Sequence, residues 1–159
     1  NELGRTIGTD SKTVEKYVDL LEKCYIVFKL SALSRNLRTE LKKGKKIFFY
    51  DNGIRNSIIQ NFSPLQLRDD VGALWENFVI SERLKYNHYN QRYCNTYFWR
   101  TTEQQEVDYI EERDGSFSLF EMKWNPKKAK VLVPSSFKSA YGDCEYTVIT
   151  PENYWQHLV

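Results

Sequence analysis

The sequence has few of the residues that build zinc sites or disulfide frameworks. Its three cysteines, Cys24, Cys94 and Cys144, are odd in number, lie far apart and form no CxxC pair, and its two histidines, His88 and His157, are isolated. Zinc sites need closely spaced ligands, and disulfide frameworks need an even set of cysteines. We therefore expect reduced thiols and a cytoplasmic protein.

The sequence also lacks long apolar runs and a phosphate-binding loop. No stretch approaches the roughly 18 consecutive apolar residues of a membrane span, and nothing resembles a signal peptide, so no membrane partner is expected. Without a GxxxxGK[ST] motif, ATP chemistry cannot be assigned to these residues. The chain has no initiating Met and begins with NELGRTIG, so we expect an excised fragment that starts within a helix.

What is present is a chain of 159 residues, 41% hydrophobic and 15% aromatic, which is enough to bury a core as one domain or two small ones. The net charge of +2 is unevenly distributed. Residues 1–63 carry twelve Lys/Arg against seven Asp/Glu, whereas residues 64–159 carry eleven against fourteen. The basic surplus is therefore at the front of the chain.

Three consecutive strands are predicted in the second half of the chain, at Tyr97–Thr101, Glu106–Glu112 and Phe117–Trp124. Asp114-Gly115 lies between the last two, and this pair favours a type I′ hairpin turn, which needs positive φ at both central positions. The turn sets the register, with Arg113 facing Ser116. The predicted core face of this hairpin carries Val107, Tyr109, Phe120, Met122 and Trp124.

The same register predicts a charged face. Asp108 faces Glu121 and Glu106 faces Lys123, and all four side chains share one side because strands alternate with period two. Facing carboxylates about 5 Å apart are destabilising unless a positive charge lies between them. Mg²⁺ or Mn²⁺ would supply it, and Lys123 could hold a water or stabilise negative charge. The alternative is a solvated strand face with an ordinary Glu106–Lys123 ion pair.

Residues 1–63 have the pattern of a winged helix-turn-helix. Glu2–Ile7 ends one helix, Gly8 supplies the turn, and Thr9-Asp10-Ser11 offers caps for a second helix from about Lys12 to Cys24. A predicted inward stripe of this helix contains Val14, Tyr17, Val18 and Leu21. Tyr25–Leu30 and Ile47–Tyr50 are predicted strands, and the loop Ser34–Lys46 between them would be the wing.

The predicted wing and the start of the second helix are basic. Such surfaces suit phosphate contacts, which give affinity without reading bases. The alternatives are a simply solvated loop and a protein-docking winged helix. The candidate nucleic-acid-binding residues are Lys12, Lys16, Arg35, Arg38, Lys42, Lys43, Lys45 and Lys46.

A long helix is predicted from about Asp69 to Tyr86, and it is apolar over much of its circumference. A carboxylate at Glu76 in this setting needs a partner. We consider two roles for Glu76: it forms an ion pair with Arg83 or Arg100, or it is a third acid beside Asp108 and Glu121. Further along, a helix at Pro134–Tyr141 and a strand at Glu145–Thr150 complete an αβββαβ order, and a short terminal helix is predicted at Pro151–Leu158.

These residues carry a family resemblance. Asp108 followed by Glu121-Met122-Lys123 resembles the D…(D/E)xK signature of PD-(D/E)xK, restriction-endonuclease-like nucleases, and Glu76 lies where resolvase-like members carry an extra acid. The whole chain resembles the C-terminal region, a domain of unknown function, that follows the ATPase domain in predicted prokaryotic AAA-type ATPases. The match is carried by KIFFYDNGIR, GALWENFVISE, YFWRT, EVDYI and FEMKW.

The resemblance implies an α/β (α+β) chain with a winged helix-turn-helix at 1–63 and a nuclease-like αβββαβ domain at 64–159. It implies an ATP-binding ATPase domain elsewhere in the intact protein, and metal ligands at Asp108, Glu121 and Glu76 with Lys123 completing the catalytic set. Two functions follow: Mg²⁺- or Mn²⁺-dependent hydrolysis of nucleic-acid phosphodiesters, or a non-cleaving module of the ATPase that binds DNA or protein. Oligomeric state is not predicted.

Overall fold

The computed structural model describes residues 2–35, 44–128 and 132–158. Within these ranges the chain has six α-helices and a six-stranded mixed sheet, which confirms the predicted mixed α/β class. The helices are α1 (Glu2–Ile7), α2 (Ser11–Lys23), α3 (Asn52–Ile58), α4 (Val71–Tyr89), α5 (Ser135–Tyr141) and α6 (Trp155–Leu158). The strands are β1 (Val27–Ala32), β2 (Lys45–Phe49), β3 (Asn95–Arg100), β4 (Glu106–Arg113), β5 (Ser116–Met122) and β6 (Glu145–Ile149).

One sheet, in the order β2-β1-β3-β4-β5-β6, joins the two halves of the chain. β1 pairs with β2 in antiparallel fashion and with β3 in parallel fashion, through Ser31↔Tyr97 and Ala32↔Phe98. The strands β3, β4 and β5 are antiparallel neighbours, and β6 lies parallel to β5. The sheet therefore continues across residue 64, where the division into two domains stays a prediction.

The hairpin that organises the second half has the predicted turn. Asp114 and Gly115 have φ of 50° and 79°, the positive values that a type I′ turn requires. The ladder from Arg113↔Ser116 to Tyr109↔Phe120 has the predicted register. The turn sequence alone was sufficient to place β4 against β5.

A β-bulge interrupts the regular alternation of β4. Tyr97 pairs with Ile110 and Trp99 with Val107, so Phe98 lies opposite two residues, Asp108 and Tyr109. An extra residue in one strand reverses which side chains share a face. The prediction that Val107 and Tyr109 lie on the same face is therefore wrong.

Two apolar clusters occupy the two faces of the sheet. The α4 side contains Phe28, Leu30, Phe48, Trp75, Val79, Ile80, Phe98, Tyr109, Phe120, Met122 and Ile149. The α5 side contains Leu33, Trp99, Val107, Ile110, Phe117, Leu119 and Phe137. Because residues from β1 and β2 join the first cluster, both halves of the chain contribute to one core.

The N-terminal helices differ from the prediction in their burial. Asp10 caps α2 as expected, since its carboxylate accepts from the backbone N–H groups of Lys12 and Thr13. The expected inward stripe is wrong, because α2 has no buried residue and Tyr17 and Leu21 are 63% and 40% exposed. Polar contacts tie the helix to β1 instead, with Lys29 Nζ at 2.5 Å from Asp19 Oδ1 and 2.7 Å from Glu22 Oε2.

Several predicted boundaries also shift. β2 begins at Lys45, so Lys45 and Lys46 lie on a strand and not in the predicted loop. β5 ends at Met122, and the terminal helix is confined to Trp155–Leu158. Among the residues that the structure describes, no helix has the combination of length and apolar character needed to cross a membrane.

The packing around α5 gives a stability prediction. Phe137 is fully buried, with its ring centroid 5.2 Å from that of Trp99 and 4.6 Å from that of Tyr141. Phe137→Ala should lower the free energy of unfolding by about 3–5 kcal/mol, because it leaves a cavity on this face of the sheet. Urea denaturation measures the change, and Ser139→Ala on the exposed side of α5 should stay within about 0.5 kcal/mol of the parent. Equal effects of the two substitutions would contradict this packing.

Candidate active site

The predicted site residues meet where β4 and β5 separate beyond the Tyr109↔Phe120 pair. Asp108 lies at the bulge, and its Oδ2 accepts a hydrogen bond of 3.0 Å from the Met122 N–H. The Met122 N–H therefore donates to this side chain and not to a backbone carbonyl of β4. Glu121 is the second-to-last residue of β5. Lys123 follows the strand directly, and its backbone N–H donates to the Ile149 carbonyl at 2.9 Å.

Asp108 is the electrostatic centre of the site. Burial, together with the negative charges of Glu121 and Glu76, raises the pKa of its carboxyl group to about 7, against the opposing effects of the Met122 N–H and Lys46. Its side chain is only 16% exposed. The three acids therefore lie close enough for Glu121 and Glu76 to act on the charge of Asp108.

Lys123 completes the predicted set. Its Nζ lies 2.5 Å from Glu121 Oε1. Burial lowers the pKa of Lys123, but the hydrogen bond to Glu121 and the charges of Glu121, Asp108 and Glu76 outweigh it and raise the pKa. The lysine is therefore a firmly charged donor beside the acids at neutral pH.

A second lysine, which the sequence reading assigned to the wing, also lies in the site. Lys46 Nζ is 3.0 Å from Glu76 Oε1, 2.7 Å from Glu106 Oε1 and 4.0 Å from Asp108 Oδ1. Burial lowers the pKa of Lys46, but Glu76 and Glu106 outweigh it and raise the pKa. Lys46 is therefore a central cation of this cluster.

These contacts correct two expected ion pairs. The partner of Glu76 is Lys46, so the expected pairs with Arg83 or Arg100 are wrong. Glu106 contacts Lys46, with Arg100 Nε further away at 3.8 Å, whereas Lys123 contacts Glu121 and not Glu106. The pairings link β2, α4 and β4 rather than the two strands of the hairpin.

The sequence did contain a signal for Lys46. Two residues later on the same strand, Phe48 is 6% exposed in the α4-side core. Side chains two apart share a face of a strand, so Lys46 must point to the same side as Phe48. Extending the alternation of the predicted strand two residues back from the apolar Phe48 would therefore have placed Lys46 on the core side of the sheet.

A buried ion pair fixes the helix that carries Glu76. Arg83 Nε lies 2.7 Å from Glu111 Oε1, and each side chain is 7% exposed. Asn87 donates to the same Glu111 oxygen at 2.6 Å, and Arg83 donates to the His157 carbonyl at 2.6 Å. These contacts tie α4 to β4 two turns away from Glu76. The sequence reading did not predict this pair.

The cluster has the chemistry of a metal site but not its arrangement. Carboxylate oxygens are the ligands that Mg²⁺ and Mn²⁺ prefer. Across residues 2–35, 44–128 and 132–158, however, no three Asp, Glu, His or Cys side chains are grouped as metal ligands would be. The ammonium group of Lys46 lies between Glu76 and Glu106, and that of Lys123 contacts Glu121.

A cleft leads to one side of the site. It has a volume of about 490 Å³ and is lined by Gln105, Glu106, Glu121, Lys123, Leu132, Val133, Pro134, Ser135 and Tyr146. This volume lies in the range of ligand pockets, which is roughly 300–1,000 Å³. Glu121 and Lys123 are therefore reachable from solvent.

The other candidate residues, proposed to bind nucleic acid, are scattered. Lys12 and Lys16 are exposed on α2. Lys45 Nζ lies 3.2 Å from Glu15, and the Arg35 guanidinium donates to both oxygens of Glu112 at 2.6 and 2.9 Å. Arg35 is thus engaged with β4 and not free for a phosphate. Arg38, Lys42 and Lys43 lie outside the described residues.

Two protein-family models match this chain. The family model described as "Domain of unknown function (DUF4143)" matches residues 71–155, the segment that contains Glu76, Asp108, Glu121 and Lys123. The chain belongs to this family. DUF4143 is known as a C-terminal region of AAA-ATPase-like proteins. A second model, "Domain of unknown function (DUF8612)", matches residues 1–65, which contain Lys46.

Two curated relatives of this DUF4143 chain are uncharacterized mycobacterial proteins. One is from Mycobacterium tuberculosis and one from Mycobacterium bovis, and each is 26% identical over 146 residues. The match covers 91% of this chain and 32% of each relative, so the chain spans about a third of their length. No solved structure matches the chain.

The raised pKa of Asp108 predicts how stability depends on pH. The carboxyl group titrates at about 7 in the folded chain against 3.8 as the ordinary value, so its ionisation destabilises the fold progressively from pH 3.8 to 7. Asp108→Asn removes this ionisation. Without divalent ions it should stabilise the protein at pH 8 by up to about 4 kcal/mol, with a much smaller effect near pH 4.

Urea denaturation in EDTA at pH 4, 6 and 8 measures this difference. Asp143→Asn is the control, because the Asp143 side chain is 93% exposed. A pH-independent effect of Asp108→Asn would contradict the proposed burial and repulsion of the Asp108 carboxylate.

Proposed function

We propose that this chain is the C-terminal part of an ATP-binding AAA-type ATPase, and that residues 64–159 form a PD-(D/E)xK nuclease-like domain. The proposed reaction is Mg²⁺- or Mn²⁺-dependent hydrolysis of phosphodiester bonds in nucleic acid. Membership of DUF4143 supports the ATPase context, since this family is known as a C-terminal region of AAA-ATPase-like proteins. The proposed partners are nucleic acid and the ATPase domain.

One observation carries the proposal. Glu76, Glu121 and Asp108 come from three different elements, and the charges of Glu121 and Glu76 add to burial in raising the pKa of Asp108, while Lys123 contacts Glu121. Concentrated negative charge in a buried setting favours the binding of a cation. A chance polar strand face would not recruit Glu76 from α4.

The order of elements also supports the nuclease-like assignment. From residue 71 onward the described helices and strands run α4, β3, β4, β5, α5 and β6, which is the αβββαβ order, and the short helix α6 follows. Asp108 lies on the second strand of this set and Glu121 on the third. The signature residues thus occupy neighbouring strands, as the D…(D/E)xK pattern requires.

The chain's own groups have distinct proposed roles. Asp108, Glu121 and Glu76 supply hard oxygen ligands, and Lys123 orients the attacking water or stabilises negative charge on the phosphoryl group. A bound Mg²⁺ or Mn²⁺ would act as a Lewis acid toward a phosphate oxygen. The cleft beside Glu121 and Lys123 provides access for a substrate.

A second function is favoured by one specific observation. Lys46 and Lys123 already neutralise Glu76, Glu106 and Glu121 at 3.0 Å or less. If these ion pairs persist, the acids form a structural network and bind no metal. The chain would then be a non-cleaving module that binds DNA or protein. Metal binding and cleavage distinguish the two functions.

The first functional test removes Asp108. The parent protein should gain thermal stability with Mn²⁺, because a ligand that binds only the folded state raises the melting temperature. Asp108→Ala should lose this gain and any Mn²⁺-dependent cleavage of DNA or RNA, while keeping its fold in EDTA. Lys123→Ala should lose cleavage but keep the Mn²⁺-dependent gain, because it removes a charge that acts on the reacting groups.

Asp143→Ala serves as the matched control, since this exposed acid is remote from the three carboxylates that converge on Asp108. An equal Mn²⁺ response in the parent and Asp108→Ala would end the metal-site proposal. A Mn²⁺ response without cleavage would favour the non-cleaving function.

The nucleic-acid partner has its own test. If the N-terminal basic residues contact phosphates, duplex affinity should fall steeply with salt. Joint replacement of Lys12, Lys16, Lys42 and Lys43 by alanine should flatten the plot of log affinity against log salt by up to about one unit per lost contact. Fluorescence anisotropy at several salt concentrations measures the slope, with Lys85→Ala on α4 as the control. Salt-insensitive binding would instead support a protein-docking role.

A further inference from the structure

The central cation of the acid cluster is a residue of the N-terminal segment. Lys46 lies on β2, whereas Glu76, Glu106 and Asp108 lie on α4 and β4. Its Nζ contacts Glu76 at 3.0 Å and Glu106 at 2.7 Å, and it lies 5.5 Å from the centroid of the Phe98 ring. The side chain is 25% exposed, so this charge is withdrawn from bulk solvent.

The contact of Lys46 with Glu106 crosses two intervening strands. β2 and β4 are three positions apart in the sheet, which is about 14 Å on a flat sheet, so the two side chains reach toward each other across β1 and β3. Gly44, just before β2, allows the close approach, since a Cβ at this position would lie 2.9 Å from Phe98 Cζ. The chain therefore folds over the Phe98 ring.

A second contact holds β2 in this position. Asn77, which adjoins Glu76 on α4 and is 5% exposed, donates to the Phe49 carbonyl at 2.9 Å and accepts from the Phe49 N–H at 2.8 Å. One asparagine thus satisfies both backbone groups of an edge-strand residue. The position of Lys46 beside Glu76 therefore depends on the hydrogen bonds between Asn77 and the backbone of β2, and not on the lysine side chain alone.

Lys46 Nζ lies 3.0 Å from Glu76 and 4.0 Å from Asp108, so a divalent cation shared by these two carboxylates would compete with it for the same position. Two cations cannot occupy the same space between Glu76 and Asp108, and their mutual repulsion at such distances is strong in a partly buried site.

We infer that Lys46 is a tethered counter-ion of the acid cluster, and that Mg²⁺ or Mn²⁺ binds only when this lysine leaves Glu76. The inference rests on the metal site of the proposed function. It makes β2, a strand of the N-terminal segment, the element whose position decides whether the acids accept a metal.

Isothermal titration calorimetry of the 159-residue chain with MnCl₂ tests this inference. Lys46→Met removes the competing charge and keeps an apolar chain over Phe98, so Mn²⁺ should bind at least about tenfold more tightly than to the parent. Lys45→Met is the matched control, because Lys45 is the adjacent residue of β2 and contacts only Glu15 among the described acids. Its Mn²⁺ affinity should equal that of the parent.

Lys46→Arg keeps the charge and should bind Mn²⁺ no more tightly than the parent. Lys46→Gln is a second neutral variant that can still hydrogen-bond Glu76 and Glu106, and it replaces Lys46→Met if circular dichroism shows that the methionine variant is unfolded. Tighter binding by a neutral variant, including the case in which the parent binds no Mn²⁺, supports the inference.

The opposite results separate this inference from the proposed function. If the parent and the neutral Lys46 variants bind Mn²⁺ with equal affinity, the metal site stands and the competition is overturned. If neither the parent nor any folded Lys46 variant binds Mn²⁺, the metal-dependent function and the competition both fail.

Discussion

The buried pair of Arg83 and Glu111 is the interaction on which the rest of the site depends. It joins the long helix α4 to β4, the first strand of the hairpin, and Asn87 and the His157 carbonyl complete its hydrogen bonds. Loss of one partner from such a pair leaves an uncompensated buried charge, which costs about 3–5 kcal/mol. Since Glu76 lies seven residues before Arg83 on the same helix, this ion pair also fixes the position of Glu76 relative to Asp108 and Glu121.

Much of the second half of the chain could be predicted from local signals. Asp114-Gly115 fixed the register of β4 against β5, because a type I′ turn permits one pairing. The nearness of Asp108 and Glu121 was predicted from this register, whereas the position of Glu76 beside them was predicted from the family resemblance. The bulge opposite Phe98 was beyond such reasoning, since nothing in the alternation of β4 marks where one extra residue is accommodated.

The first half was predicted less well because its interactions are non-local. The apolar stripe of α2 was read as a core face, yet Tyr17 and Leu21 are largely exposed. Lys46 was predicted to lie in a basic wing that binds nucleic acid, because its neighbours in sequence are lysines. Its actual surroundings come from α4 and β4, and charge in one stretch of sequence does not reveal a partner sixty residues away.

The placement of Lys46 also bears on how the two matched segments depend on each other. Residues 1–65 supply the strand beside β3, three aromatic or aliphatic residues of the α4-side core, Phe28, Leu30 and Phe48, and the cation between the acids. Without this segment, β3 would become an exposed edge and the core would lose one side. The acids would also face each other with Lys123 as their remaining neighbouring lysine. The segment that matches DUF4143 therefore carries the candidate acids, while the preceding segment sets the charge that those acids experience.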